Sequence, residues 1–148
     1  MKCVVQRVSS ASVTIDGKIY SSIGKGLAVL VAYTEGDNEQ IIEYVADKLI
    51  NLRIFEDDEQ KLNRSLIDVG GEMLLVSNFT IYGETAKGRR PSFIKSAPGN
   101  ISEPMYDNTI EVLRSKGVEV KTGVFGADMS VNIVNDGPVT VIVEKEDR

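Results

Sequence analysis

Histidine is absent from all 148 residues. That one absence removes the commonest general base, the Ser-His-Asp and Cys-His relays, and histidine-ligated zinc. The single cysteine, Cys3, lies in the apolar stretch Cys3-Val4-Val5. A small buried hydrophobe explains it there better than a nucleophilic thiol does. No apolar run approaches the roughly 18 residues that cross a bilayer, and Met1-Lys2 leads straight into strand-like sequence without a charged-then-apolar leader. A cytoplasmic protein with no membrane partner is the expectation. Repeats, linkers and low-complexity segments are lacking too. Any chemistry must therefore run on carboxylates, hydroxyls, backbone dipoles, or groups that the substrate brings, with no metal and no cofactor expected.

The length suits one domain spanning residues 1–148, and 42% apolar residues suffice for a real core. Net charge is −5, which argues against coating nucleic acid nonspecifically, DNA included, because that mode depends on neutralising phosphates. The average hides an exception. From Thr85 to Ser102 there are four cations, Lys87, Arg89, Arg90 and Lys95, and no acidic residue. The segment reads either as a solvated face or as a docking point for a few phosphates.

Strand character marks Lys2 to Ser9 and Ser12 to Asp16, and Asp16-Gly17 has the signature of a hairpin turn. Gly26 to Tyr33 is continuously apolar, as in a central strand covered on both faces. Ile41, Ile42, Val45, Ala46, Leu49 and Leu52 recur at helical spacing after a cap at Asp37 or Asn38. A second helix is predicted from near Pro104 to Lys116, capped by Ser102 and stopped by Gly117. Further strands are expected over Glu72 to Tyr82, Val118 to Val124, Met129 to Val134 and Val139 to Glu144, with a frayed tail from Glu144 to Arg148. The pattern is α+β: a largely antiparallel sheet rolled toward a β-barrel, with two helices packed outside.

Two short stretches carry chemistry. In Leu75 to Tyr82 the polar residues Ser77, Asn78 and Thr80 interrupt both faces of an apolar strand. They serve either to bond neighbouring backbone at a strand end or to make that end a polar pocket. In Asn135-Asp136-Gly137-Pro138-Val139-Thr140, a proline stands between two strand-like runs. By itself that hexapeptide reads as a hairpin turn with Pro138 starting the next strand.

Ser77-Asn78-Phe79-Thr80-Ile81 resembles the SQFTL motif, and the hexapeptide matches the NxGPxT motif, of the D-aminoacyl-tRNA deacylases. Gln6-Arg7-Val8, Asn51 to Phe55, Asn63 to Leu66, Lys87 to Phe93 and Thr122 to Met129 look like the same family, in its order, over essentially residues 1–145. The resemblance implies hydrolysis of the ester joining a D-amino acid, or glycine, to the terminal adenosine of tRNA, while L-aminoacyl-tRNA survives. It also implies a homodimer in which a cis Gly137-Pro138 peptide reaches into the other subunit's pocket. A stiff wedge of main chain there would exclude an L side chain, pass a D residue, and fail to reject glycine, which has nothing to clash.

Within that resemblance, the substrate RNA's ribose hydroxyl assists the reaction. Ser77, Phe79 and Thr80 then position the carbonyl and the adenosine, with the Phe79 and Thr80 backbone near the developing oxyanion. Such N–H donors are worth about 3 to 4 kcal/mol each. Thr80 as a nucleophile is the rival reading, without a base at a recognisable spacing to activate it. Asn78 and Met129 join Gly137 and Pro138 as substrate-binding candidates. Asn78 is one methylene shorter than the family's usual glutamine, which places any contact of its amide in question. Ile81 for leucine conserves volume. Lys87, Arg89 and Arg90 are candidates for acceptor-stem phosphates, and Gln6 and Arg7 for bracing the Gly-Pro segment. A non-catalytic RNA-binding module on the same fold is the alternative.

Overall fold

The computed structural model describes residues 1–146. Its first strand, β1, runs unbroken over Lys2–Ile15, where two strands were expected. The reason is a switch of face. Cys3 and Val5 belong to one core, whereas Val8, Ala11 and Val13 belong to a second, and the register shifts between Val8 and Ser10. An irregularity of this kind bends a strand and moves its alternation to the other side, so the polar Ser9-Ser10 pair marks a bend and not a gap. Asp16 and Gly17, both at positive φ (50° and 75°), turn the chain into β2 (Lys18–Ile23), as Asp-Gly chemistry dictates.

Strand β3 (Gly26–Ala32) is buried along nearly its whole length. Helix α1 (Glu39–Asn51) follows, and of its two cap candidates Asn38 does the capping, accepting the Ile41 N–H at 3.0 Å. Asp37 instead meets the Met1 ammonium group at 2.8 Å. A two-stranded ribbon, β4 (Phe55–Glu56) and β5 (Leu62–Arg64), and the one-turn helix α2 (Leu66–Val69) lead into β6 (Glu72–Ser77). The expected strand to Tyr82 stops there, because Phe79–Tyr82 forms a 3₁₀ turn. Helix α3 (Gly99–Ser115) starts earlier than expected and carries Pro104 inside it. Ser102 is no cap, since its hydroxyl is buried and donates to the Ala97 carbonyl at 3.0 Å. Gly117, at φ 91°, follows the helix end. Strand β7 spans Glu119–Thr122 and β8 spans Ser130–Glu144.

The main sheet has the order β2-β1-β3-β6-β7, with β8 along the other side of β1. Its β1 pairings are antiparallel, and β3-β6 and β6-β7 are parallel. On one face Leu27, Val29, Met73 and Leu75 pack with Ile42, Val45 and Leu49 of α1 and with Tyr106 and Leu113 of α3. On the other, Ala28, Leu74 and Val76 face Val8, Val13 and Ile23, with Val131 and Ile133 packed against them, so that the sheet closes toward a barrel. The tail is tied farther than expected: Glu144 pairs with Lys2, and the Lys145 N–H donates to the Met1 carbonyl at 3.0 Å. Its last two residues lie outside the described ones.

Candidate active site

The C-terminal end of β6 opens into a cleft of about 890 Å³. Ser77, Asn78 and Phe79 form one wall, Phe125 and Met129 another, and Phe93, Ala97 and Pro98 the rim. Strand geometry explains the first wall. Up to Ser77 the chain is held in the sheet by its pairing with β3, and the Asn78 N–H still donates to the Val31 carbonyl at 2.8 Å. Beyond it, the 3₁₀ turn begins. The first N–H groups of any helical turn have no partner within that turn. Among the described residues, neither Phe79 N–H nor Thr80 N–H meets a protein acceptor, whereas Ile81 N–H reaches the Asn78 carbonyl at 3.2 Å and Gly83 N–H the Thr80 carbonyl at 2.9 Å. Phe79 lines the cleft and the exposed Thr80 does not, so the two adjacent free donors straddle its edge, where such donors can receive a developing oxyanion.

Asn78 and Thr80 are linked by their side chains, the Thr80 hydroxyl donating to Asn78 Oδ1 at 2.5 Å. An amide oxygen is a poor proton acceptor, so this bond orients Thr80 without activating it as a nucleophile. The shorter asparagine therefore still contributes a contact, directed at its neighbour in the turn. Behind the turn, the Ser96 hydroxyl donates to the Phe79 carbonyl at 2.7 Å. Nothing in the sequence pattern had singled out Ser96. Met129 sits in the cleft with its sulfur 3.4 Å from the Val124 N–H. Cys3 is fully buried, and burial pushes its thiol up to about 12, which suits a core residue.

Gly137 and Pro138 occupy a second location. They are exposed and do not line their own chain's cleft. No hairpin separates two strands here: β8 continues through the segment along β1, and the 137–138 peptide is cis. Pairing passes from Thr140 opposite Gln6 to Asn135 opposite Val8. Arg7 alone therefore faces the four residues from Asp136 to Val139, which must bulge outward. Side chains tie off both ends of the bulge. Asn135 Oδ1 accepts the Val139 N–H at 3.1 Å, and its Nδ2 donates to Thr140 Oγ1 at 2.9 Å. Gln6 Nε2 reaches the same oxygen at 3.1 Å. Arg7, 5% exposed, donates from Nε to the Asp136 carbonyl at 3.1 Å and from a terminal nitrogen to the Ile54 carbonyl at 2.9 Å. The polar ends of the motif and its Gln6-Arg7 support are thus one hydrogen-bonded unit.

Lys87, Arg89 and Arg90 are exposed on a loop whose base is closed by an antiparallel bridge between Glu84 and Ser92. That loop leads directly into Phe93 at the cleft rim. Among the described residues no group of three potential ligands could hold a metal ion, and no helix is long and apolar enough to cross a membrane.

The family model described as D-Tyr-tRNA(Tyr) deacylase matches residues 4–144. A D-aminoacyl-tRNA deacylase of Carboxydothermus hydrogenoformans is 54% identical over 144 residues, covering 97% of this chain and 99% of the relative. One from Chlorobaculum parvum is 52% identical over 145 residues, covering 97% of each. Among solved structures, a c-Myc DNA unwinding element binding protein superposes with a TM-score of 0.95 at 41% identity, over 99% of this chain and 100% of that one. A probable eukaryotic D-amino acid tRNA deacylase superposes with a TM-score of 0.83 over 96% and 97% of the two chains, where 17% identity speaks for the fold alone. With a match that begins before Arg7 and ends beyond Thr140, taking in the cleft and the tied bulge alike, the chain belongs to the D-aminoacyl-tRNA deacylases, hydrolases of the ester that joins a D-amino acid to tRNA.

Proposed function

We propose that this single-domain chain, as a cytoplasmic homodimer, clears D-amino acids and mischarged glycine from the terminal adenosine of tRNA, and that its chirality filter is main chain. The observation that carries the reading is the contrast between the two locations. Free N–H donors stand at the edge of the cleft, and the Gly137-Pro138 bulge is exposed and is not part of that cleft's lining. A second subunit supplying its bulge to the cleft joins the two. An L side chain would then meet backbone, a D side chain would project away from it, and glycine would escape because a filter of this kind cannot reject a smaller group.

In the reaction, a water oxygen adds to the ester carbonyl and the carbonyl oxygen takes up the charge, facing the N–H groups of Phe79 and Thr80. Collapse breaks the bond to the ribose oxygen, which takes a proton, and releases the free amino acid. With no histidine in the chain, proton movement falls to the neighbouring ribose hydroxyl. The donors need supply only a few kcal/mol, because an aminoacyl ester is already reactive. Ser77 and Met129 hold the adenosine, and Lys87, Arg89 and Arg90 meet acceptor-stem phosphates.

Incubation of the purified protein with D- and L-aminoacyl-tRNA should free only the D-amino acid. Equal survival of both esters would refute catalysis and leave an RNA-binding module. A tRNA ending in 2′-deoxyadenosine should be bound and barely cleaved if the ribose hydroxyl assists. Sedimentation at micromolar concentration checks the dimer.

A further inference from the structure

Beside the cleft, the turn from Phe93 to Ser96 presents apolar surface that the scheme above leaves unused. Ser96 N–H donates to the Phe93 carbonyl at 3.0 Å and closes the turn. Thr34 Oγ1 donates to the Lys95 carbonyl at 2.6 Å, and Ser96 Oγ holds the Phe79 carbonyl on the opposite side. The turn is therefore anchored to the end of β3 and to the 3₁₀ turn of the cleft. At its tip Ile94 is 91% exposed. Phe93 meets Phe79 edge to face, ring centroids 5.3 Å apart at 74°, and both rings remain open to solvent. Gly83 makes room for this pair, since a Cβ there would come within 2.8 Å of Phe93 Cε1 and 2.9 Å of the Thr80 carbonyl.

We propose that Phe93 and Ile94 form a stacking platform for the base of the nucleotide immediately 5′ to the terminal adenosine, so that the enzyme reads a dinucleotide end and not a lone nucleoside. The inference rests on the deacylase reading, because the cleft must hold that adenosine first. A single-stranded RNA end offers unstacked bases, whose π faces settle on aromatic and apolar side chains without regard to sequence. Phe93 lines the cleft and begins the turn, so a strand leaving the cleft over Phe93 passes Ile94 next. The loop of Lys87, Arg89 and Arg90, which carries no acidic residue between Thr85 and Ser92, runs straight into Phe93 and supplies cations for the phosphates of such a strand. An isoleucine fixed at almost full exposure contributes nothing to the core, and stacking accounts for its being held there.

The test compares two substrates, D-aminoacyl-tRNA and the single nucleoside ester 2′(3′)-O-D-aminoacyl-adenosine, using Ile94→Asp and the uncharged Ile94→Ala, since Ile94 does not line the cleft. For tRNA, KM should rise about tenfold in each variant with kcat retained, while hydrolysis of the nucleoside ester stays unchanged. Equal losses on both substrates, or no loss on either, would overturn the platform. A change of oligomeric state in Ile94→Asp would assign the side chain to a contact between copies and overturn it as well. Wild-type protein inert toward both substrates would bring down the deacylase reading itself, a result distinct from these.

Discussion

The Nε of Arg7 donates to the carbonyl of Asp136 at 3.1 Å, so a buried residue of β1 holds the exposed bulge of β8 from beneath. The same side chain satisfies the buried Ile54 carbonyl and approaches the carboxylates of Glu56 at 3.7 Å and Asp136 at 3.5 Å. Arg7→Ala orphans the Ile54 carbonyl, at a cost of about 3 kcal/mol, or about 10 °C in Tm for a chain of this size. Calorimetry checks the stability. Deacylation of D- against L-aminoacyl-tRNA at a temperature where the variant is folded should show selectivity falling as well, and undiminished selectivity would separate Arg7 from the bulge.

Gly137 has φ 128°, and a Cβ added there would lie 2.9 Å from Val139 Cγ2 and 3.0 Å from an Arg7 nitrogen. Both the conformation and the space are wrong for an L residue. Gly137→Ala should lose at least about tenfold in kcat/KM on D-aminoacyl-tRNA, roughly 1.4 kcal/mol in the barrier. Hydrolysis of the L ester measured in parallel tells whether the filter has moved. Wild-type rates and selectivity would remove Gly137 from the filter.

Thr80 donates its proton to Asn78 Oδ1. Losing one such exposed bond costs about 1 kcal/mol, so Thr80→Ala should keep turnover within about tenfold of wild type. Complete inactivity in a variant with an unchanged circular dichroism spectrum would reinstate the hydroxyl as nucleophile.

With no histidine, kcat/KM should lack an inflection near pH 6.5, the ordinary histidine value. Stability has its own window. Asp57 and Asp68 are held below 3.8, chiefly by the backbone N–H groups of Lys61 and Ser65. Their contribution is present above the unfolded value and lost as pH falls through the folded one. Burial pushes Tyr106 up to about 12 from 10.0. Its contribution is complete below pH 10 and is lost toward pH 12, as the unfolded chain alone ionises. Urea midpoints across pH should form a plateau bounded by these two edges.

The central strand, the Asp-Gly hairpin and the first helix were legible because each rests on local chemistry: a continuous apolar run, paired positive φ, and a 3.6-residue period that begins after an Asn cap. Two strand boundaries were not. Glu72 to Tyr82 alternates convincingly on paper, yet pairing with β3 stops at Ser77, and no local pattern records where a neighbouring strand ends. The hexapeptide after Val134 carries every mark of a turn, and only the long partner β1 keeps both flanks in one strand. Ser77, Asn78, Phe79 and Met129 line one cleft, and Thr80 stands outside its lining because the chain turns into the 3₁₀ segment there. Ser96 escaped notice because a serine that braces a carbonyl looks like any other surface serine.

A protrusion flanked on both sides by paired strand has no hinge. Asn135 and Thr140 are clipped together and Arg7 holds the Asp136 carbonyl where the bulge begins, so its base moves with the barrel wall. Whatever approaches it must conform to a surface set in place during folding, and amide exchange at Val139 should be as slow as in neighbouring strand residues. A gate can be pushed open by a tight-fitting wrong ligand; a cornice cannot.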